Sequence, residues 1–124
     1  SPGVEVIYTA ENRSLAMAEV AVHLNLATLE PDYVMLTIHL PDDISVQKLT
    51  EKELPANWDS FPYKTATQAV GDRFVSDARY CVLQLPSAVT KGDHNFLLNP
   101  RHAEFKRVKI VDIEPFPFDE RIFG

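Results

Sequence analysis

Apolar residues return along the chain in two rhythms, one strand-like and one helical. The stretch VEVIYTA, residues 4–10, alternates and is rich in β-branched and aromatic side chains, which predicts a strand. In the following ENRSLAMAEVAVHLNLATL, Leu15, Ala18, Val22 and Leu26 return at helical spacing, and Asn12 or Ser14 is placed to cap the start. A second strand is predicted over residues 33–40, between Pro31 and Pro41, and ISVQKL predicts a short third one. EKELPANWDSFPYK is crowded with turn formers and reads as a loop, which Trp58, Phe61 and Tyr63 pin to the core. TATQAVGDRFVSD reads as a short helix weakened by Gly71. RYCVLQL and RVKIVDIEPF are further strands, the last with Val108, Ile110 and Asp112 facing one way. The order β-α-β-β-loop-α-β-β predicts an α+β fold, not a doubly wound sheet.

Composition narrows the class. A chain of 124 residues suits one domain, spanning 1–124, that buries a core without disulfides or a structural metal. No apolar run approaches the roughly 20 residues that cross a bilayer. The start, SPGVEVIYTA, has no basic region followed by an apolar stretch, so no signal peptide is expected from it. It also carries no initiator Met, so processing or a longer parent protein is expected. The single cysteine, Cys81, excludes an intrachain disulfide and reads as a small core residue, in keeping with a cytoplasmic setting. A net charge of −6 argues against direct nucleic-acid binding, yet a few local donors can still hold a small anion. With four glycines, the chain writes neither a dinucleotide fingerprint nor a P-loop. Its four histidines lack zinc-site spacing, so no metal is expected.

The stretch LQLPSAVTKGDHNFLLNP carries the first candidate chemistry. Its apolar run stops at Pro86, Ser87 follows at once, and Asn95 and Asn99 flank a second apolar run. Ser87 is either a turn former or a pocket hydroxyl, and it lacks the G-x-S-x-G surround of a hydrolase nucleophile. The asparagines suit either ligand amides and phosphates or their own backbone. Glu19 lies within or beside the apolar stripe of the first helix, four residues after Leu15. An uncompensated carboxylate there is costly, which marks a candidate catalytic group, although an i,i+4 contact with His23 is the plainer alternative. Tyr8, just before that helix, reads as core or as the wall of a cleft beside Glu19.

Four segments in this order resemble the RES domain family, the toxin of Xre/RES-type bacterial toxin–antitoxin systems. VIYTAENRSLAMAEVAVHL is similar to its strand–helix segment, where a Tyr precedes a helix with the essential Glu. LPANWDSFPYKTATQAVGDRF carries an L-P-x-x-W, a T-Q and a G-D like its middle section. P-S-A-V followed by N-x-L-L-N-P-x-H resembles its most recognisable stretch, and FDERIF its ending. Of the Arg, Glu and Ser that name the family, Glu19 and Ser87 match. The Arg lies upstream in the family, and Arg13 on the helix is no substitute, so this chain is expected to lack the family's N-terminal part.

The resemblance implies an ADP-ribosyltransferase-like β core with flanking short helices. It implies NAD as substrate, cut between nicotinamide and ribose by hydrolysis or phosphorolysis. Alternatives are transfer of ADP-ribose to a protein and an inert interaction module. Glu19, Tyr8 and Ser87 would be catalytic. Tyr8, Ser87 and Asn95 would also bind NAD, with Tyr8 stacking on nicotinamide. The implied partners are an Xre-like helix-turn-helix antitoxin, inorganic phosphate as a possible co-substrate, and a dimer or toxin–antitoxin hetero-oligomer.

Overall fold

The computed structural model describes residues 5–23, 33–56, 58–59 and 63–116, with the side chains of 22–23 and 63–67 outside that description. The first strand, β1 (Ile7–Ala10), leads through two residues into helix α1 (Arg13–His23). Asn12 caps the helix: its Oδ1 accepts from the Leu15 N–H at 2.8 Å and its carbonyl from the Ala16 N–H at 3.1 Å. Strands β2 (Val34–His39) and β3 (Val46–Lys48) follow, and then a 3₁₀ turn at Glu51–Glu53. Helix α2 (Tyr63–Asp77) precedes β4 (Val82–Pro86) and β5 (His94–Leu98). A second 3₁₀ segment, Ala103–Arg107, leads into β6 (Lys109–Pro115). The architecture is α+β, as the element order predicts.

Two sheets result. One has four strands in the order β1-β5-β4-β3, antiparallel except for the parallel β3–β4 pair. The other is a two-stranded antiparallel ribbon of β2 and β6. Strand β5 sits inside the larger sheet, hydrogen-bonded on both sides. The sequence reading gave no strand there. HNFLL is five residues long, and so short an apolar run does not separate strand from loop without its partners.

The registers fix the two faces of this sheet. Tyr8, Leu97 and Leu83 lie side by side, as do Ala10, Asn95 and Leu85. Directly opposed residues share a face, and residues two apart share it too. Leu83, Leu85 and Leu97 cluster with Phe74 of α2, so both α2 and the site described below lie on this face. The other face carries Val82 and Leu98, packed with Cys81 and Ile44 and flanked by Ile38, Leu40, Phe105 and Val108. Cys81 is fully buried, the core position expected for it.

Gly71 does not simply weaken α2. It is buried, and a Cβ there would come within 3.3 Å of Leu97 Cδ2. The missing side chain lets the helix sit close against β5, and the helix runs longer than predicted, from 63 to 77. Ala78, at φ 54°, ends it in the left-handed conformation common one residue past a helix.

The last strand also departs from the reading. Val108 precedes β6 and packs into the core, while Ile110 is exposed. Pairing shifts between Thr37/Ile38, matched to Asp112 and Ile110, so Val111 is left over as a bulge. The extra residue breaks the alternation between 110 and 112, and Val108 stands before the strand, at the end of the 3₁₀ segment. Trp58 of the predicted loop is half-buried, and Phe61 and the Tyr63 side chain lie outside the described residues.

Candidate active site

Glu19 projects from α1 on the same stripe as Leu15, which is 1% exposed. The stripe faces β1 and β5, and Glu19 itself is 9% exposed. Its Oε1 accepts from Asn95 Nδ2 at 3.2 Å and, at the outer limit of hydrogen-bond length, from the Tyr8 hydroxyl at 3.5 Å. A buried carboxylate is tolerable only with such donors around it. The plainer alternative, a contact with His23, falls on a side chain outside the described residues.

Asn95 is 1% exposed, and its Nδ2 also donates to the Thr9 carbonyl at 3.2 Å. Both neighbours of this nitrogen are pure acceptors, which settles the orientation of the amide. Thr9 is anchored in turn, its Oγ1 donating to the Phe96 carbonyl at 2.8 Å. One carboxylate on α1, one amide on β5 and one carbonyl on β1 thus form a continuous polar chain at the edge of the Leu83–Leu97 core.

Tyr8 is 48% exposed, so part of its ring is open while its hydroxyl turns toward Glu19. Partial burial, then the Glu19 charge and its hydrogen bond, push the Tyr8 phenol well above its ordinary value of 10.0. It is therefore a neutral donor at any physiological pH and cannot serve as a base.

Ser87 is buried at the end of β4, one residue past the Pro86–His94 pair. Its Oγ accepts from the Val89 and Thr90 N–H groups, each at 3.0 Å, and its own N–H donates to the Asp93 carbonyl at 2.8 Å. These bonds shape the loop to β5, in which Gly92 adopts φ 93°, a conformation that favours glycine. With two bonds accepted, the capacity left to the Ser87 hydroxyl is its own proton. So Tyr8, Glu19 and Asn95 meet directly, while the hydrogen bonds of Ser87 stay within its own loop.

The loop and α1 are tied together beside this group. Glu11 Oε1 accepts from the His94 N–H at 2.7 Å, the Glu11 N–H donates to the His94 carbonyl at 3.1 Å, and Asn12 Nδ2 reaches Asp93 Oδ2 at 3.5 Å. Asn99 is buried and turned to its own backbone, its Oδ1 accepting from the Arg101 N–H at 3.0 Å. Among the described residues no three His, Cys, Asp or Glu side chains gather as metal ligands would.

What sequence reasoning missed is the direct pairing of Asn95 with Glu19. The available signal was an amide in a slot that alternation with Leu97 assigns to the core.

Comparison with known proteins places the chain in a family. The RES domain profile matches residues 1–119. The chain is 37% identical over 123 residues to "Toxin Res" of Pseudomonas putida, covering 98% of this chain and 81% of that protein. It is 30% identical over 122 residues to "Prs ADP-ribosylating toxin" of Sphingobium sp., covering 97% and 76%. It is likewise 30% identical over 122 residues to "Toxin Res" of Yersinia enterocolitica, covering 97% and 79%. With a family match over residues 1–119 and relatives that align over nearly all of this chain, the chain belongs to the RES domain family.

Proposed function

We propose that this chain is the catalytic domain of a bacterial toxin that cleaves NAD between nicotinamide and ribose. The observation that carries the reading is the buried Glu19 carboxylate, held by Tyr8 and Asn95. Breaking that bond sends its electron pair out with nicotinamide and leaves positive charge at the ribose carbon. A fixed carboxylate stabilises such an oxocarbenium-like centre, and does so best where water is excluded. Glu19 is that carboxylate. The open part of the Tyr8 ring is a platform for nicotinamide, and the Ser87 proton donates to the amide or ribose of the substrate. The acceptor then adds to the ribose carbon and loses a proton.

Water or phosphate as acceptor makes the domain an NAD-degrading enzyme. A protein side chain as acceptor makes it an ADP-ribosyltransferase, a second reading favoured by the name of the Sphingobium relative. The helix-turn-helix antitoxin belongs to either reading, as the partner that covers the site.

The test is NAD loss and nicotinamide release by the full-length protein, with and without phosphate. Glu19→Ala is expected to lower turnover on the order of 10²–10³-fold. Less than about a tenfold loss removes Glu19 from the catalytic role. No NAD loss in any buffer, with no protein labelled by ADP-ribose, overturns NAD cleavage altogether.

A further inference from the structure

We infer that Asn95 is a positioning residue, which acts on the reaction through Glu19 and does not touch the nucleotide. The inference rests on the NAD reading above but has a readout independent of it. Asn95 stands on the interior strand β5, whose backbone is fixed by ladders to both β1 and β4. Its side chain occupies a core slot between Ala10 and Leu85 and is 1% exposed. A buried amide in such a slot requires partners for its polar atoms, and both donors of Nδ2 have them inside the protein: the Thr9 carbonyl and Glu19 Oε1. No donor remains for a phosphate or a nicotinamide.

The Thr9 bond explains why the Glu19 bond is directional. It anchors the amide to β1 on one side, so the second N–H points across to α1 at a fixed angle. Glu19, on a long side chain with several rotamers, is thereby held in one of them. Tyr8 supplies a second bond to the same oxygen, but its length of 3.5 Å and its open ring make it the looser of the two. A carboxylate preorganised in this way meets the developing charge without rearranging first, which affects the chemical step more than substrate binding.

Two measurements test this on the full-length protein. The first compares Asn95→Ala with wild type for kcat and KM on NAD, with thermal melts as a check on folding. The expected result is a fall in kcat of at least about tenfold, with KM changed by less than about threefold. Asn95→Ser, which keeps a short hydrogen-bond donor at the same position, recovers part of that loss and replaces the alanine variant if it does not fold. A rise in KM at unchanged kcat means that Asn95 contacts the nucleotide and overturns the inference, as does no change in either constant.

The second measurement needs no Asn95 variant. In isotope-labelled protein, the side-chain amide of Asn95 is expected to exchange slowly and to shift its resonance on Glu19→Gln. An amide signal that does not respond to Glu19→Gln overturns the pairing. Should wild type leave NAD and protein acceptors untouched, the NAD reading fails. The amide signal then decides the pairing alone, in its favour if coupled to Glu19 and against it if not.

Discussion

The four-stranded sheet and the β2–β6 ribbon are built from similar residues and end in opposite states. In the sheet, Val82, Leu83, Leu85, Leu97 and Leu98 are at most 3% exposed. In the ribbon, Val34, Leu36, Ile110, Val111 and Ile113 are between 43% and 61% exposed. Both sets are aliphatic and apolar, so hydrophobicity does not separate them. Cover does. One face of the sheet meets α2 and the other meets Ile44, Phe105 and the foot of the ribbon, where Ile38 packs. Along the ribbon, Met35 turns inward and is buried, while Leu36 and Ile113, paired across the strands, lie on an open face. Alternation says which residues share a face. It does not say whether anything lies over that face.

The contrast also locates the polar groups. Inside the covered sheet, every polar side chain needs partners, and Glu19 and Asn95 find them in each other. The ribbon has no such demand. Its Arg13–Glu114 ion pair is exposed, and surface pairs of that kind contribute about 0–1 kcal/mol.

The largest expected difference between the regions is in truncation. Leu83→Ala empties a fully buried position and is expected to cost about 2–5 kcal/mol in denaturant unfolding. Ile113→Ser on the ribbon is expected to change stability by about 0.5 kcal/mol or less in the same measurement. Equal losses would mean that the ribbon face is covered in the protein as studied.

A smaller effect separates the regions in acid. At the far side of the sheet, Ser45 donates from its hydroxyl and its N–H to Glu104. The hydroxyl bond above all, with help from the backbone bond, His102 and Arg107 and against some desolvation, holds Glu104 below its ordinary 4.5. A carboxyl lowered in the folded state contributes stability that is present above its unfolded value and lost as pH falls through the folded one. Melts of wild type should therefore fall as pH drops below about 4.5, and Glu104→Gln should flatten that limb. Glu114→Gln, on the ribbon, should leave the limb as it is. If the two substitutions act alike, the clamp at Glu104 is no stronger than a surface pair.

The smallest effect is at Tyr8. With its phenol raised above 10.0, tyrosine ionisation followed in the near ultraviolet should show one late-titrating group, absent in Tyr8→Phe. Its presence in Tyr8→Phe assigns the late titration to another tyrosine.

The sequence by itself determined the local elements and several of their devices. Helical spacing of Leu15 and its neighbours, with Asn12 in front, was enough for α1, because a helix and its cap are contacts within one turn. YCVLQL named a core strand, observed over Val82–Pro86 with Cys81 buried just before it, because so apolar a run has few other places to go. Glu19 stood out for the same reason, as a carboxylate among apolar neighbours. The tertiary structure alone decided the rest. HNFLL became the interior strand because both β4, its neighbour in the chain, and β1, at the far end of the sequence, pair with it. Gly71 became a point of close approach because Leu97 lies opposite it. Glu19 acquired a partner 76 positions away, which no local pattern encodes. The ribbon stayed open because nothing in the described fold packs on that face. Local propensity acts over a few residues, whereas cover and pairing are set by which distant segments meet.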